Sequence, residues 1–484
     1  MPYRKIDTWR SVDWFTIALY VIMIIMGWIS ICGASYEFDN TGLFSLDGRA
    51  GSQLMWAGMA VGLIFVILML ESDFYDIFAY VFYIGMILLL IATIFLAPDI
   101  KGSRSWLVLG PIRLQPAEFA KFATALAVAK LMSSYGFTLS NVRNFALTLG
   151  LILLPMLLIM MQKETGSALV YLAFFLVLYR EGMSGYILLT GVCAVVFFVT
   201  SMKFSDVLWG ITPLGQFLVF LMVLLITPFL VQVLRRDGLV VKVILITVGI
   251  AFLIGYLVNF FIPVNFLWIA WGLMAALVIY LVYLSLRGWV RQYALIALFA
   301  VGSIGFLYSV DYVFDEIMEP HQQIRIKVSL GLEDDPSGAG YNVNQSKIAI
   351  GSGGFSGKGF LNGTQTKLKY VPEQDTDFIF CTVGEEQGFV GAALVVILFG
   401  VFILRLITLA ERQHGTFQRI YGYSVASIFF FHVAINIGMV TGLTPVIGIP
   451  LPFFSYGGSS LWGFTILLFI FLRIDANRNN RLLS

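Results

Sequence analysis

Long apolar runs, separated by short polar breaks, dominate this chain. A bilayer core needs roughly 20 apolar residues per helix. About fourteen runs approach that length: 14–33, 53–71, 75–97, 117–133, 145–161, 166–180, 184–202, 213–234, 240–258, 261–286, 291–309, 377–404, 420–441 and 459–474. The pattern predicts an all-α polytopic membrane protein of about 14 transmembrane helices. The first run follows Arg4, Lys5 and Arg10 and ends in Cys32-Gly33-Ala34-Ser35. Its apolar stretch is longer than a signal-peptide core, so it is expected to stay as an uncleaved first helix. One segment, 310–376, is polar, rich in glycine and too long to be a mere connection.

Composition strengthens this reading. Hydrophobic residues make up 59% of the 484 and charged residues 12%, about half the usual soluble share. A soluble fold could not cover that much apolar surface. The net charge of +2 gives no support to nucleic-acid binding. Cys32, Cys193 and Cys381 lie in or beside apolar runs, without metal spacing or a disulfide framework. His321, His414 and His432 are far apart in sequence, which argues against a zinc or haem site.

Charge sets the expected topology. With a cytoplasmic N-terminus, every second loop should be basic, and all but the acidic Glu71-Ser72-Asp73 are: Arg143, Arg180, Arg235 with Arg236 and Lys242, Arg287 with Arg291, Arg405 with Arg412 and Arg419, and Arg473 with Arg478 and Arg481. Both termini are then cytoplasmic. Two alternate loops break the rule, 310–376 and the stretch 98–116 with Lys101, Arg104 and Arg113. The short one is either ordinary scatter or an anion site on the outer face.

Ionisable groups inside apolar runs are costly and default to functional candidates. Glu118 and Lys121, three apart after Pro116, share a helix face. They are either a structural ion pair or a group that brings Lys121 near an anionic headgroup. Gln162-Lys-Glu-Thr-Gly166 is a tight turn or a helix break, and Glu164 there is structural or catalytic. Glu385 and Glu386 are adjacent within one run, so at least one must face the bundle interior. The long segment holds Glu333-Asp334-Asp335-Pro336, a solvated acidic turn or part of a site, followed by Asn344, Gln345, Ser346, Lys347, Lys358, Lys367, Lys369 and Glu373. Its centre, Gly351-Ser-Gly-Gly-Phe-Ser-Gly-Lys-Gly359, matches no phosphate loop or dinucleotide fingerprint. Pro445, Pro450 and Pro452 prevent a regular helix between the last two runs, which predicts a re-entrant segment there.

Four motifs then resemble one family. They are Arg104-Ser-Trp106 with Gln115-Pro-Ala-Glu118-Phe-Ala-Lys121; Gly338-Ala-Gly-Tyr341 with Gln345-Ser346 and Ala349-Ile-Gly-Ser-Gly-Gly354; Pro372-Glu373 with Thr376-Asp-Phe-Ile-Phe380 and Gly384-Glu-Glu386; and Gly442-Leu-Thr-Pro445 through Phe453-Phe-Ser-Tyr-Gly-Gly-Ser459. In this order they resemble the SEDS family (shape, elongation, division and sporulation), over roughly 10–200 and 290–475. Gly357-Lys-Gly359 and Gly363-Thr-Gln365 look more like the RodA elongation branch than the FtsW cell-division branch. The resemblance implies a peptidoglycan glycosyltransferase of the bacterial cytoplasmic (inner) membrane. Such an enzyme polymerises lipid II, an undecaprenyl-diphosphate-linked disaccharide, during cell elongation, cell-wall biogenesis and shape maintenance. It also implies a class B penicillin-binding protein as transpeptidase partner, beside membrane lipid.

The family usually has about ten spans. The expected organisation is therefore 1–202, an inserted 203–290 with about four extra helices, and 291–484 including the extracytoplasmic loop 310–376. A partner surface and a lipid groove are both open readings of the insertion. Lys163-Glu164 stands where the family usually shows Pro-Asp, Ala117 replaces a common Ser and Gln387 a common apolar residue.

The resemblance places the key carboxylate at Asp335, or at Asp334 if the alignment shifts by one. It would take the proton of the attacking sugar hydroxyl. The departing lipid pyrophosphate needs cations more than a second acid. Arg104 and Lys121 are the expected clamp, with Arg325 and Lys327 behind them. Glu118, Gln345, Ser346 and Lys358 complete the expected substrate-binding set. A divalent cation, Mg or Mn, held by the pyrophosphate fits this chemistry, although no protein ligand set is visible. The rivals are a flippase or transporter of the lipid-linked precursor and a non-enzymatic scaffold.

Overall fold

The computed structural model describes residues 11–35, 48–100, 102–110, 112–205, 207–312, 314, 316, 318, 320–329, 332 and 339–478. The helices, in chain order, are α1 (Trp14–Ser35), α2 (Arg49–Met69), α3 (Ser72–Ile77), α4 (Ala79–Leu96), α5 (Pro116–Met132), α6 (Val142–Met161), α7 (Thr165–Leu169) and α8 (Phe174–Arg180). Then come α9 (Gly185–Lys203), α10 (Leu214–Arg235), α11 (Gly238–Val258), α12 (Phe266–Gly288), α13 (Arg291–Tyr312), α14 (Pro320–Ser329) and α15 (Ala339–Ser352). The last are α16 (Thr364–Lys367), α17 (Ile379–Glu411), α18 (Thr416–Thr441) and α19 (Gly458–Ala476). Two antiparallel hairpins interrupt them, β1 (Leu107–Leu109) with β2 (Ile112–Leu114), and β3 (Leu208–Trp209) with β4 (Thr212–Pro213).

Every predicted apolar run is helical, and the chain is a multi-pass membrane protein. Among the described residues, however, 12 helices are long and apolar enough to cross a bilayer, not fourteen. The two runs that fall short are 117–133 and 166–180. The first is α5, only 17 residues long, with Glu118, Lys121 and Lys130 on it. The second is split into α7 and α8 by a 3₁₀ turn, Val170–Ala173. The long polar segment is also more ordered than a loop, since it carries α14, α15 and α16.

Contacts divide the chain into two compact units, Met1–Met183 with Tyr341–Ser484, and Ser184–Gly340. In the first, α5 is the central helix: 14 of its 17 residues are buried. It packs against α4, α6, α18 and α19. Its alanines at 117, 120, 123, 125, 127 and 129 let neighbouring backbones come close. A Cβ on Gly463 of α19 would meet the Glu118 carbonyl oxygen at 3.0 Å, so a larger residue there would push the two backbones apart by a few tenths of an ångström.

Ion pairs collect one set of helix ends in this unit. Arg405 pairs with Asp13, Arg412 with Asp475, Arg419 with Glu181 and Arg180 with Glu411. The start of α1, the ends of α8, α17 and α19 and the start of α18 therefore lie on one face. Their opposite ends carry the glycine-rich and proline-rich loops.

In the second unit α10 is the hub. It packs against α9, α11, α12 and α13, and buries Phe217, Phe220, Val223, Leu224 and Val231 among them.

Candidate active site

At the loop-bearing end of the first unit, polar contacts tie the loop before α5 to the turn after α6 and to α19. Arg104 lies on the surface, and its guanidinium has no ion-pair partner among the described residues. Its backbone N–H donates to the Gln162 carbonyl at 3.1 Å. The hairpin that follows leads to Gln115 and is tied to α19, because the Ser459 hydroxyl donates to the Arg113 carbonyl (2.9 Å) and accepts from the Gln115 N–H (3.2 Å). Gln115 Nε2 donates to Glu164 Oε1, which also accepts from the Ser167 hydroxyl at 3.2 Å.

Lys163, with φ 60°, makes the tight turn that presents Glu164 there, between α6 and α7. Its other oxygen, Oε2, is buried without a hydrogen-bond partner among the described residues. Burial pushes the Glu164 carboxyl above its ordinary value, aided by the Glu118 charge and opposed by the hydroxyls of Ser105 and Ser167 and the charge of Lys121.

Beneath lies the pair that the i,i+3 spacing predicted. Lys121 Nζ donates to Glu118 Oε2 at 2.8 Å, with the two side chains 2% and 1% exposed. Lys121 also lies 3.0 Å from His432 Nε2 and 4.7 Å from the Phe464 ring centre. His432 Nδ1 is 3.1 Å from the Pro450 carbonyl oxygen. A carbonyl only accepts, so Nδ1 carries the ring proton and Nε2 accepts from Lys121. Five residues in from the start of α5, Lys121 sits about 8 Å deep at the helix rise.

The proline-rich stretch after α18 is irregular, as expected, and is held from below. Asn436 Nδ2 donates to the carbonyls of Ile449 (2.7 Å) and Asp377 (2.8 Å). Ser455 donates to Thr376 O (2.6 Å) and accepts from Leu451 N (2.8 Å). Arg49 pairs with Asp375, whose carbonyl accepts from Tyr456 N at 2.8 Å.

A separate cluster surrounds Glu385, whose side chain is fully buried. It accepts from Lys358 Nζ at 2.7 Å and from the backbone N–H groups of Thr364 (2.8 Å), Gln365 (2.8 Å) and Thr366 (2.9 Å). Glu386 turns the other way, accepts from Leu361 N at 3.1 Å, and lies against Gly33 of α1. Both carboxylates thus face the interior. The glycine-rich stretch supplies close backbone approach. Lys358 N and Gly359 N donate to the carbonyls of Glu385 (3.1 Å) and Glu386 (2.9 Å), where Gly388 breaks α17 at φ 65°.

The expected residues therefore separate. Glu118 and Lys121 come together with Glu164, which the sequence left as structural or catalytic, and with His432, which was not in the expected set. An ionisable residue inside the run 420–441 is itself a warning, and that signal would have found His432. Ser346, on α15, is anchored to the Val440 carbonyl at 2.6 Å, and Gln345 beside it is half-buried. Lys358 belongs to the Glu385 cluster. Arg325 is on α14, in the second unit. Asp334 and Asp335 lie outside the described residues. Among the described residues no group of three His, Cys, Asp or Glu side chains could hold a metal ion.

The family model described as "Cell cycle protein" (FtsW, RodA, SpoVE) matches residues 13–210 and 268–480. The peptidoglycan glycosyltransferase RodA of Treponema pallidum is 31% identical over 475 residues, covering 97% of this chain and 99% of that one. The peptidoglycan glycosyltransferase MrdB of Escherichia coli strain K12 is 31% identical over 406 residues, covering 83% and 80%. A chain in the solved structure of a peptidoglycan synthase complex that coordinates polymerization and crosslinking shares the fold. Its TM-score is 0.62 at 22% identity, over 96% of this chain and 98% of that chain. The unmatched stretch 211–267 lies inside the expected insertion and holds α10 and α11.

Proposed function

This chain belongs to the FtsW/RodA/SpoVE family, the SEDS family of cell cycle proteins, and from that premise we propose how its site works. It is a RodA-like peptidoglycan glycosyltransferase that polymerises glycan strands for cell elongation. The substrate we assign is lipid II, met at the outer face of the cytoplasmic membrane with both termini of the chain inside. The transpeptidase partner is a class B penicillin-binding protein. The likeness to a chain of a complex that couples polymerization to crosslinking supports that assignment.

In the reaction a sugar hydroxyl on one substrate attacks the anomeric carbon of another. The bond from that carbon to the lipid diphosphate breaks, and the diphosphate leaves as an anion. Asp335, or Asp334 beside it, takes the hydroxyl proton, an effect typically worth roughly 10²–10⁴-fold. Arg104 meets the departing diphosphate, since a planar guanidinium suits bidentate phosphate contact. Lys121, locked by Glu118 and His432, keeps positive charge fixed beneath that position. Arg325 and Gln345 contact the substrate's polar parts, while Ser346 and Lys358 hold the supporting backbone. A divalent cation, Mg or Mn, would be held by the substrate diphosphate and would offset part of its charge.

The observation that carries this reading is the exposed Arg104, whose backbone is tied to the turn that presents Glu164, in the same unit as the buried Lys121–Glu118 pair. Purified protein supplied with lipid II, with and without the partner, tests it. Glycan strands are expected. Lipid II moved across a vesicle membrane without strand formation would identify a transporter instead.

A further inference from the structure

Three helices of the second unit frame a groove lined by none of the residues proposed for glycan synthesis. It encloses about 680 Å³ between α9, α10 and α13. Its walls are apolar, with Ile187, Phe197, Leu234, Leu298 and Phe306 among them. The α10 wall comes from the stretch outside the family match. Gly302 leaves the floor open, for a Cβ built there meets nothing within 4 Å.

The groove runs to the end of the unit where its three helices terminate. Ser184 is the N-cap of α9, Leu234 lies in the last turn of α10 and Leu295 in the first turn of α13, and all three line it. That end is basic. Arg235 and Arg236 follow Leu234. Arg291 stands four residues before Leu295 and seven before Leu298, so it shares their helix face. Lys242 and Arg287 are exposed on neighbouring helix ends.

Little opposes this charge. Between residues 230 and 300 Asp237 is the sole carboxylate, and Glu181, three residues before Ser184, is paired with Arg419. Asp237 is engaged with the Val240 N–H (3.2 Å) and the Tyr293 hydroxyl (2.8 Å). Arg235 lies 5.6 Å from the centre of the Tyr293 ring, so the end of α10 meets the start of α13. Arg236, Lys242 and Arg291 have no ion-pair partner among the described residues. Trp289, 95% exposed beside Arg291, is the kind of residue that sits at headgroup level.

We propose that this groove binds an anionic diacyl phospholipid. One acyl chain lies along α13 against Leu298, Gly302 and Phe306, and the phosphate sits among Arg235, Arg236 and Arg291. Any lipid can fill an apolar groove; the basic end makes this one prefer net negative charge, since basic pockets between membrane helices bind anionic headgroups. This site is independent of the glycan chemistry.

The test uses full-length protein in nanodiscs with a phosphatidylglycerol whose acyl chain carries a photoactivatable group. Labelling is expected on the groove faces of α9 and α13. Unlabelled phosphatidylglycerol should compete at least about fivefold better than phosphatidylcholine, from one cation's worth of surface attraction. Gly302→Trp, or the smaller Gly302→Leu, should remove the label while the melting temperature in detergent stays. Arg235→Gln with Arg291→Gln should bring the two competitors level. Equal competition in the wild type would overturn the proposal, as would unchanged labelling in both Gly302 variants. Stronger competition by undecaprenyl phosphate would assign the groove to the isoprenoid carrier, and loss of label on adding the class B partner would assign it to a protein helix. Either result overturns it too.

Discussion

Lys121 of α5 donates to His432 of α18 across 3.0 Å, in a place where neither side chain meets solvent. The imidazole passes this restraint on to the Pro450 carbonyl. One cation therefore fixes its own helix, a neighbouring helix and the irregular segment that closes the site. Removing one partner of such a pair strands the other charge, which typically costs about 3–5 kcal/mol. Lys121→Met is expected to lower the thermal melting point in detergent sharply, and Lys121→Met with Glu118→Leu to recover most of the loss. A single variant as stable as the wild type would remove the pair from the structural account.

Glu385 organises the loop above α17 through Lys358 and three backbone N–H groups. Hydrogen bonds to a charged group contribute about 1.5–3 kcal/mol each. In Glu385→Gln, amide hydrogen exchange should rise across 358–366 while α18 and α19 stay protected. Unchanged exchange there would show that the glycine packing alone holds the loop.

Gly33 leaves open the space that the Glu386 carboxylate fills. A Cβ at Gly33 would come within 2.5 Å of both Glu386 oxygens, whereas one at Gly58 of α2 meets nothing within 4 Å. Gly33→Ala is expected to destabilise by about 1–3 kcal/mol, the usual penalty for overpacking. Gly58→Ala should be neutral or slightly stabilising. Equal melting points for the two variants would contradict the close approach.

These three sites show what the sequence makes legible. The helices were readable because each needs a run of apolar residues, and Glu118 with Lys121 because three residues bring side chains to one face. The count of spans was not, because α5 is a short alanine-rich helix buried among its neighbours and α7–α8 is broken by a 3₁₀ turn. Positive-inside reading found the basic helix ends but not their carboxylate partners, which come from distant helices. Gly353 and Gly357 were visible as glycines, yet their reason is the backbone of α17, over twenty residues further on. Likewise, nothing local tells that His432 faces Lys121 or that Glu164 accepts from Gln115.

Arg104 differs from Lys121 in being exposed, so its loss should leave the fold intact and act on substrate. Arg104→Ala is expected to raise the lipid II concentration needed for half-maximal polymerisation by about tenfold, in keeping with one charged contact. Arg104→Lys should restore part of it. Unchanged kinetics over a range of lipid II concentrations would exclude Arg104 from the diphosphate contact.

The most direct test is glycan synthesis by purified Asp335→Ala, with Asp334→Ala beside it, using lipid II and the class B partner. One of the two should lose at least about 100-fold in strand formation, the lower bound for a general base, while inserting in the membrane and melting like the wild type. Strand formation near the wild-type rate in both variants would contradict the assignment of a carboxylate base at this turn.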